Sequence, residues 1–244
     1  MKIKTEKMKR FLIFLSTLLL CVEFGAQAQN NSRPQGDSLA VFRAVRVEGP
    51  VKVDFLQLAE GESPYVTYDT RTNPDSRLKV QVDKSGRLNI RELGLRNSTD
   101  TMQLKVGYRT LESMEVDGAR VTFENEMKQQ MTELSISGGA VAALNLEVID
   151  AMVTVTGKCK LSLSGSCRYL DLEASTASVE AAALECRSAH LKVSHRARVV
   201  LHAQERLVAS VMRAEVLYSQ KPEILRVFGS FGAKVGPLHP EEQK

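Results

Sequence analysis

Apolar and polar residues alternate with a period of two along much of this chain. Residues 153–165, VTVTGKCKLSLSG, show the form: two short runs, VTVT and KLSLS, flank Gly157-Lys158-Cys159. Such alternation marks a strand with one buried face. Similar segments recur at MEVDGARVTF from Met114, LSISGGAVAAL from Leu134, LEASTASVEAA from Leu172, LKVSHRARVVL from Leu191 and ASVMRAEVLY from Ala209. Aligned on one apolar column, Val116, Ile136, Val155, Ala174, Val193 and Val211 are separated by 20, 19, 19, 19 and 18 residues. A second column lies two residues earlier: Met114, Leu134, Val153, Leu172, Leu191 and Ala209. A third follows the break: Val121, Val141, Leu161, Val179, Val199 and Val216.

A period of about nineteen residues is too short for helix-pair repeats or propeller blades. It predicts an all-β chain folded as a parallel β-solenoid (β-helix). Each repeat is one rung, and equivalent positions stack about 4.8 Å apart along the axis. VTVT and KLSLS are then successive sides of a coil, with Gly157-Lys158-Cys159 at the corner, rather than the arms of a hairpin. Asp117, Ser137, Thr156, Ser175 and Ser194 directly follow the first column. These small polar side chains predict a ladder that stabilises the turns through hydrogen bonds to backbone. A row of hydroxyls for binding sugar is the sharper alternative.

The first half is less regular. FRAVRVEGPVKVDFLQL, SPYVTYDT, LKVQVDKSGRLNIREL and TMQLKVGY read as strands, with corresponding anchors about 35 residues apart. Residues 42–110 are therefore expected to form longer, irregular rungs or a separate sheet on the solenoid's end. An open end is a row of unpaired backbone groups, so a cap is expected. Residues 111–237 are assigned to the regular repeats and a C-terminal cap, and 238–244 to a polar tail. Residues 29–41, QNNSRPQGDSLAV, read as a flexible leader.

Residues 1–28 read as a secretory signal. Five Lys or Arg precede the apolar run FLIFLSTLLLCV, and Ala26-Gln27-Ala28 supplies a cleavage site after Ala28. The apolar run is too short to span a bilayer as a helix. Export to the periplasm or cell surface is expected. Removing five of the 33 basic and two of the 29 acidic residues leaves a net charge of +1. That balance gives no reason to expect nucleic acid or an anionic membrane surface as partner.

Candidate chemistry is sparse. Cys167 and Cys186 are nineteen residues apart, hence neighbours on adjacent rungs, and Cα spacing there suits a disulfide. Parallel Cβ vectors instead favour buried free thiols. No metal-ligand spacing such as C-x-x-C occurs. Asp171 precedes His190 by nineteen residues, which places a carboxylate beside an imidazole on the outer surface. A proton-transfer dyad is one reading. Glu173 and Lys192 share the spacing, which favours a plain surface charge pair. No catalytic, metal or cofactor site is assigned.

The chain resembles the bacterial family described as putative auto-transporter adhesin, head GIN domain, over most of its length beyond the signal. The stretches that carry it are FRAVRVEGPVKVDFLQLAEGESPYVTYDT, the units ISGGAVAAL and VTGKCKLSLSG, and the closing YSQKPEILRVFGSFGAKVG, with Tyr218, Pro222, Gly229 and Gly232. The resemblance implies a β-helix-like fold in an exported protein and no catalytic residues. Ser175-Thr176-Ala177 and Ser194-His195-Arg196 stand where the family pattern has glycine, predicting less tight turns. The expected role is a non-catalytic, adhesin-like binding or scaffold protein of the cell envelope, with an envelope protein, a surface polymer or a second copy as partner. The alternative is a polysaccharide lyase or hydrolase built on a β-helix.

Overall fold

Residues 35–69, 75–94 and 101–239 are described in a computed structural model. Every regular element among them is a β-strand. The regular part is built from β10 (Met127–Ser137), β11 (Val141–Thr156), β12 (Lys160–Ser175), β13 (Ser178–Ser194) and β14 (Arg198–Met212). They stack parallel, in register except for shifts between β12 and β13 near Ser162–Ser164 and between β13 and β14 near Ala181–Glu185 and Cys186–Ser188. Leu134 lies beside Val153, Val153 beside Leu172, Leu172 beside Leu191 and Leu191 beside Ala209. All of these side chains are buried, so the second apolar column is one continuous strip of core. The protein is a parallel β-solenoid, and VTVT and KLSLS are successive sides of its coil.

The coil turns two kinds of corner. In β11, Ala142, Leu144, Leu146 and Val148 are buried, and then Ala151, Val153 and Val155. The inward phase slips by one residue between Val148 and Ala151, leaving Ile149 and Asp150 both outside the core. With a period of two, a one-residue slip changes which side faces inward, so the strand rounds this corner without a turn. Arg168-Tyr169, Arg187-Ser188 and Glu205-Arg206 mark the same bend on the next rungs.

The second corner is a turn in the left-handed region. Gly118, Gly138, Gly139 and Gly157 have φ of 68°, 68°, 77° and 79°. Thr176, His195, Arg196 and Arg213 adopt the same conformation, at 55°, 53°, 65° and 50°. The turns without glycine are therefore not looser, contrary to the expectation for Ser175-Thr176-Ala177 and Ser194-His195-Arg196. A ladder of backbone bonds imposes the conformation. The Gly157 N–H donates to the Ser175 carbonyl (3.1 Å), Thr176 to Ser194 (3.4 Å) and His195 to Met212 (3.2 Å). That ladder outweighs a left-handed cost of about 1–2 kcal/mol per non-glycine residue. Just after each turn a small side chain fills the narrow inner corner: Ala119, Ala140, Cys159, Ala177, Ala197 and Ala214, all buried. Cys159 thus occupies an alanine position.

The third apolar column needs one correction. Val121 lies beside Ala142, which in turn lies beside Leu161, whereas Val141 is 36% exposed. The turn at Gly138-Gly139 is one residue longer than that at Gly118, which shifts the phase.

The first half continues the same coil, in a different order. β2 (Ala44–Glu48) lies between β6 (Arg87–Glu92) and β8 (Ser113–Asp117), parallel to both. β3 (Val51–Gln57) lies between β7 (Met102–Tyr108) and β9 (Arg120–Phe123) in the same way. The rung built first in sequence is therefore second in space. Val47, Ile90 and Val116 are equivalent positions, so the true spacings are 43 and 26 residues rather than about 35. The intervening chain closes the end. β5 (Leu78–Val82) pairs antiparallel with β6, β4 (Tyr65–Tyr68) with β7, and β1 (Gln35–Ser38) with β4.

Two boundaries differ from expectation. The described part of the 29–41 leader holds β1, because pairing with the free edge of β4 uses backbone groups and needs no apolar pattern. At the other end, β16 (Ile224–Ser230) pairs parallel with β14, and β17 (Lys234–Pro237) pairs parallel with β15 (Glu215–Tyr218). These strands form a further rung, not a C-terminal cap. The signal at 1–28 and most of the polar tail lie outside the described residues.

Phe55, Tyr108 and Phe123 form an aromatic cluster near the capped end, with Phe55 stacked on Phe123 at 5.3 Å between ring centres and Tyr108 edge-on to both. The Tyr108 hydroxyl is buried with no hydrogen-bond partner among the described residues. Burial also holds its pKa well above the usual phenol range. Tyr108→Phe keeps the ring contacts and removes a desolvated hydroxyl, so we expect a gain of about 1 kcal/mol. Denaturant titration checks this; a loss of similar size would mean that the hydroxyl is bonded.

Candidate functional site

The long strands β11 to β14 carry an outward face on the side that precedes the left-handed turns. Three rows cross it. Asp150, Tyr169, Ser188 and Arg206 are in register; so are Met152, Asp171, His190 and Val208; so are Thr154, Glu173, Lys192 and Ser210. Asp171 and His190 therefore stand side by side, with Oδ1 and Nδ1 3.6 Å apart and both side chains about half exposed. Glu173 and Lys192 are the next pair along the same two strands. Between them the rows enclose a shallow, apolar-floored depression of about 450 Å³, bordered by Tyr169, Asp171, His190, Arg206 and Val208. Tyr169 and Met152 are roughly half exposed beside these charges. The surface offers apolar contact, aromatic contact and both signs of charge without a deep cleft.

At the left-handed corner the small polar residues stand on neighbouring rungs. Ser137 lies beside Asp117, Thr156 beside Ser175 and Ser175 beside Ser194. Their hydrogen bonds run mainly between rungs. Ser137 Oγ donates to Asp117 Oδ1 (3.3 Å), and His195 Nδ1 lies 3.2 Å from Ser175 Oγ and 2.9 Å from Ser194 Oγ. Among the described residues, the ladder's contact with backbone is between Ser137 Oγ and the Val116 carbonyl, at 3.5 Å.

Cys167 and Cys186 are register partners, and both are buried as free thiols. The hydrogen bond to Cys186, together with burial, pushes the Cys167 thiol well above its ordinary pKa. Burial raises Cys159 as well. Thiols so held are poor nucleophiles. The native protein is expected to resist thiol alkylation at Cys159, Cys167 and Cys186, and each of these should become labelled after denaturation without reductant. Peptide mass mapping reads this directly. Loss of label at Cys167 and Cys186 together would demonstrate a bridge.

A second polar surface was not visible in the sequence. Arg46, Glu48, Arg87, Arg91 and Glu115 form a connected ion network across β6, β2 and β8. Arg46 lies 2.5 Å from Glu48 and 3.6 Å from Glu115, Arg87 is 3.2 Å from Glu115, and Arg91 bonds Glu48. The Arg91 hydrogen bond, with the charges of Arg46 and Arg91, holds the Glu48 carboxyl below the usual range. The alternation in AVRVE and RLNIRE marks these residues as outward, but only the out-of-order stacking of β2 brings them together.

A coil of parallel rungs, closed at one end by antiparallel strands and carrying its polar chemistry on open faces, defines the class as a capped β-solenoid. The chain belongs to the family described as putative auto-transporter adhesin, head GIN domain, whose model matches residues 41–222. A crystal structure of a putative adhesin from Bacteroides fragilis is similar in fold, with a TM-score of 0.74 at 15% identity, covering 84% of this chain and 96% of that one. A putative adhesin from Parabacteroides distasonis gives 0.61 at 17% identity, covering 84% and 96%. A protein from the same organism described as a putative lipid binding protein gives 0.58 at 14% identity, covering 86% and 98%. No curated protein matches the sequence.

Proposed function

We propose that this chain is a non-catalytic, adhesin-like binding protein of the cell envelope, exported to the periplasm or surface. The observation that carries this reading is the outward face of β11 to β14. Tyr169, Met152, Arg206, Asp171 and His190 lie on adjacent rungs in one shallow surface, suited to contacts spread over an extended partner. Family membership and the adhesin descriptions of the similar structures support it. The Asp171–His190 pair is read as part of the cross-rung charge pattern it shares with Glu173 and Lys192.

Binding of labelled protein to envelope fragments of its native host tests the reading. Tyr169 and Arg206 are the residue types that most often dominate interfaces. The double variant Tyr169→Ser, Arg206→Glu should therefore weaken binding by about tenfold or more, or about 1.4 kcal/mol. Undiminished binding would move the contact surface elsewhere. Turnover of an envelope glycan that is abolished by Asp171→Ala or His190→Ala would replace the reading with an enzymatic one.

A further inference from the structure

The two ends of the solenoid are built differently. One is closed by β5, β4 and β1, paired antiparallel onto the last parallel rung. At the other, β16 pairs only with β14 and β17 only with β15 among the described residues, so both outer edges are open. The core is open there too. Val227 lies beside Ala209 and extends the column of Leu172, Leu191 and Ala209, each fully buried, yet Val227 is 41% exposed. Leu225 and Val235 extend the columns of Leu207 and Val216 and are only partly buried. Phe228 and Phe231 stand beside this opening at 63% and 82% exposed. A flat, apolar, unpaired edge is the feature that soluble β proteins otherwise cover or blunt.

We propose that this end is the contact surface for a second copy of the chain, joined end to end about a two-fold axis. Covering the opening takes two strand edges held about 10 Å apart, the spacing of packed sheets, with apolar residues between them. A single extended peptide satisfies one edge and leaves the other. The same end of a second copy supplies both edges and the core residues at once. A two-fold perpendicular to the coil axis sets β16 antiparallel to its own copy, and β17 likewise. The composition of β16 suits this pairing. Its seven residues, ILRVFGS, are centred on Val227. Full overlap sets Val227 against Val227, Leu225 against Gly229 and Arg226 against Phe228. Arg226 is the only charge in the strand, and this register places it beside an aromatic ring instead of its own copy, an arrangement that attracts. The capped end does not offer the same match. Among the described residues its outer edges belong to β5, next to β6, and to β1, one strand further out beyond β4, so they are not level with each other.

Sedimentation equilibrium of the chain as processed by its native host tests the proposal. A dimer is expected, with no larger species as concentration rises. Phe228 is largely exposed and the Phe231 ring meets the Arg213 guanidinium at 5.5 Å, a surface contact worth little, so Phe228→Ser with Phe231→Ser should leave the circular dichroism spectrum of the folded monomer unchanged and weaken the dimer by at least tenfold. Val227→Cys should form disulfide-linked dimers on mild oxidation, because the two-fold register places residue 227 against itself, while Thr154→Cys on the outer face should not. A monomer throughout the range, open-ended polymers, or a dimer insensitive to both changes at β16 and the turn after it would each overturn it.

Discussion

Gly165→Ala is expected to lower the stability of the protein by about 3–5 kcal/mol, one of the largest effects of any single methyl group added to this chain. Gly165 has a φ of 96°, outside the range that L side chains adopt with ease. A Cβ at this position would also overlap the Leu146 carbonyl oxygen and approach Asn145 Oδ1 at 2.6 Å. Leu146 is the register partner of Gly165 on β11, and its backbone is fixed by the ladder, so neither side can move alone. Gly139 is the natural control. Its φ is 77°, but a Cβ there meets nothing within 4 Å. Gly139→Ala should therefore show the conformational cost alone, about 1 kcal/mol. Urea titration of both variants separates the two contributions. Equal losses would mean that β12 yields at Gly165 and that the close approach to β11 is not obligatory.

Leu172→Ala is expected to cost about 3 kcal/mol, within the range for large-to-small changes at fully buried sites. Leu172 is 0% exposed and stacked between Val153 and Leu191, so the cavity opens between three rungs. A solenoid's stability is close to a sum of nearest-neighbour terms. The loss should consequently be local in hydrogen exchange. Amides of β11, β12 and β13 should lose protection, while those of β2, β3 and β6 should keep theirs. Uniform loss of protection would show that the whole coil opens as a single unit.

The regular half of the fold was legible because a stacked rung repeats its environment. Val116, Ile136, Val155 and Val193 face the same core from equivalent positions, so the same residue types return at a near-constant interval. The Asp171–His190 and Cys167–Cys186 neighbours followed from the same interval. Errors came where the interval changed. One extra turn residue at Gly138-Gly139 moved Val141 out of the core and Ala142 into it. At Thr176 and His195 the absence of glycine points to less tight turns, and the cross-rung backbone bonds override that local preference.

The amino-acid sequence by itself determined the strand content, the inward and outward faces, the rung length and the polar character of the turn ladder, since each depends on residues close in the chain. Only the tertiary structure decided the order of the first rungs, with β2 and β3 placed between strands that come later. It also decided which end is capped, and hence that Ile224–Ser230 is an open rung with core residues exposed to water. These features depend on which backbone edges meet. Every strand presents the same N–H and C=O groups at its edge, so side-chain alternation shows which face is buried and says nothing about which neighbour an edge will choose.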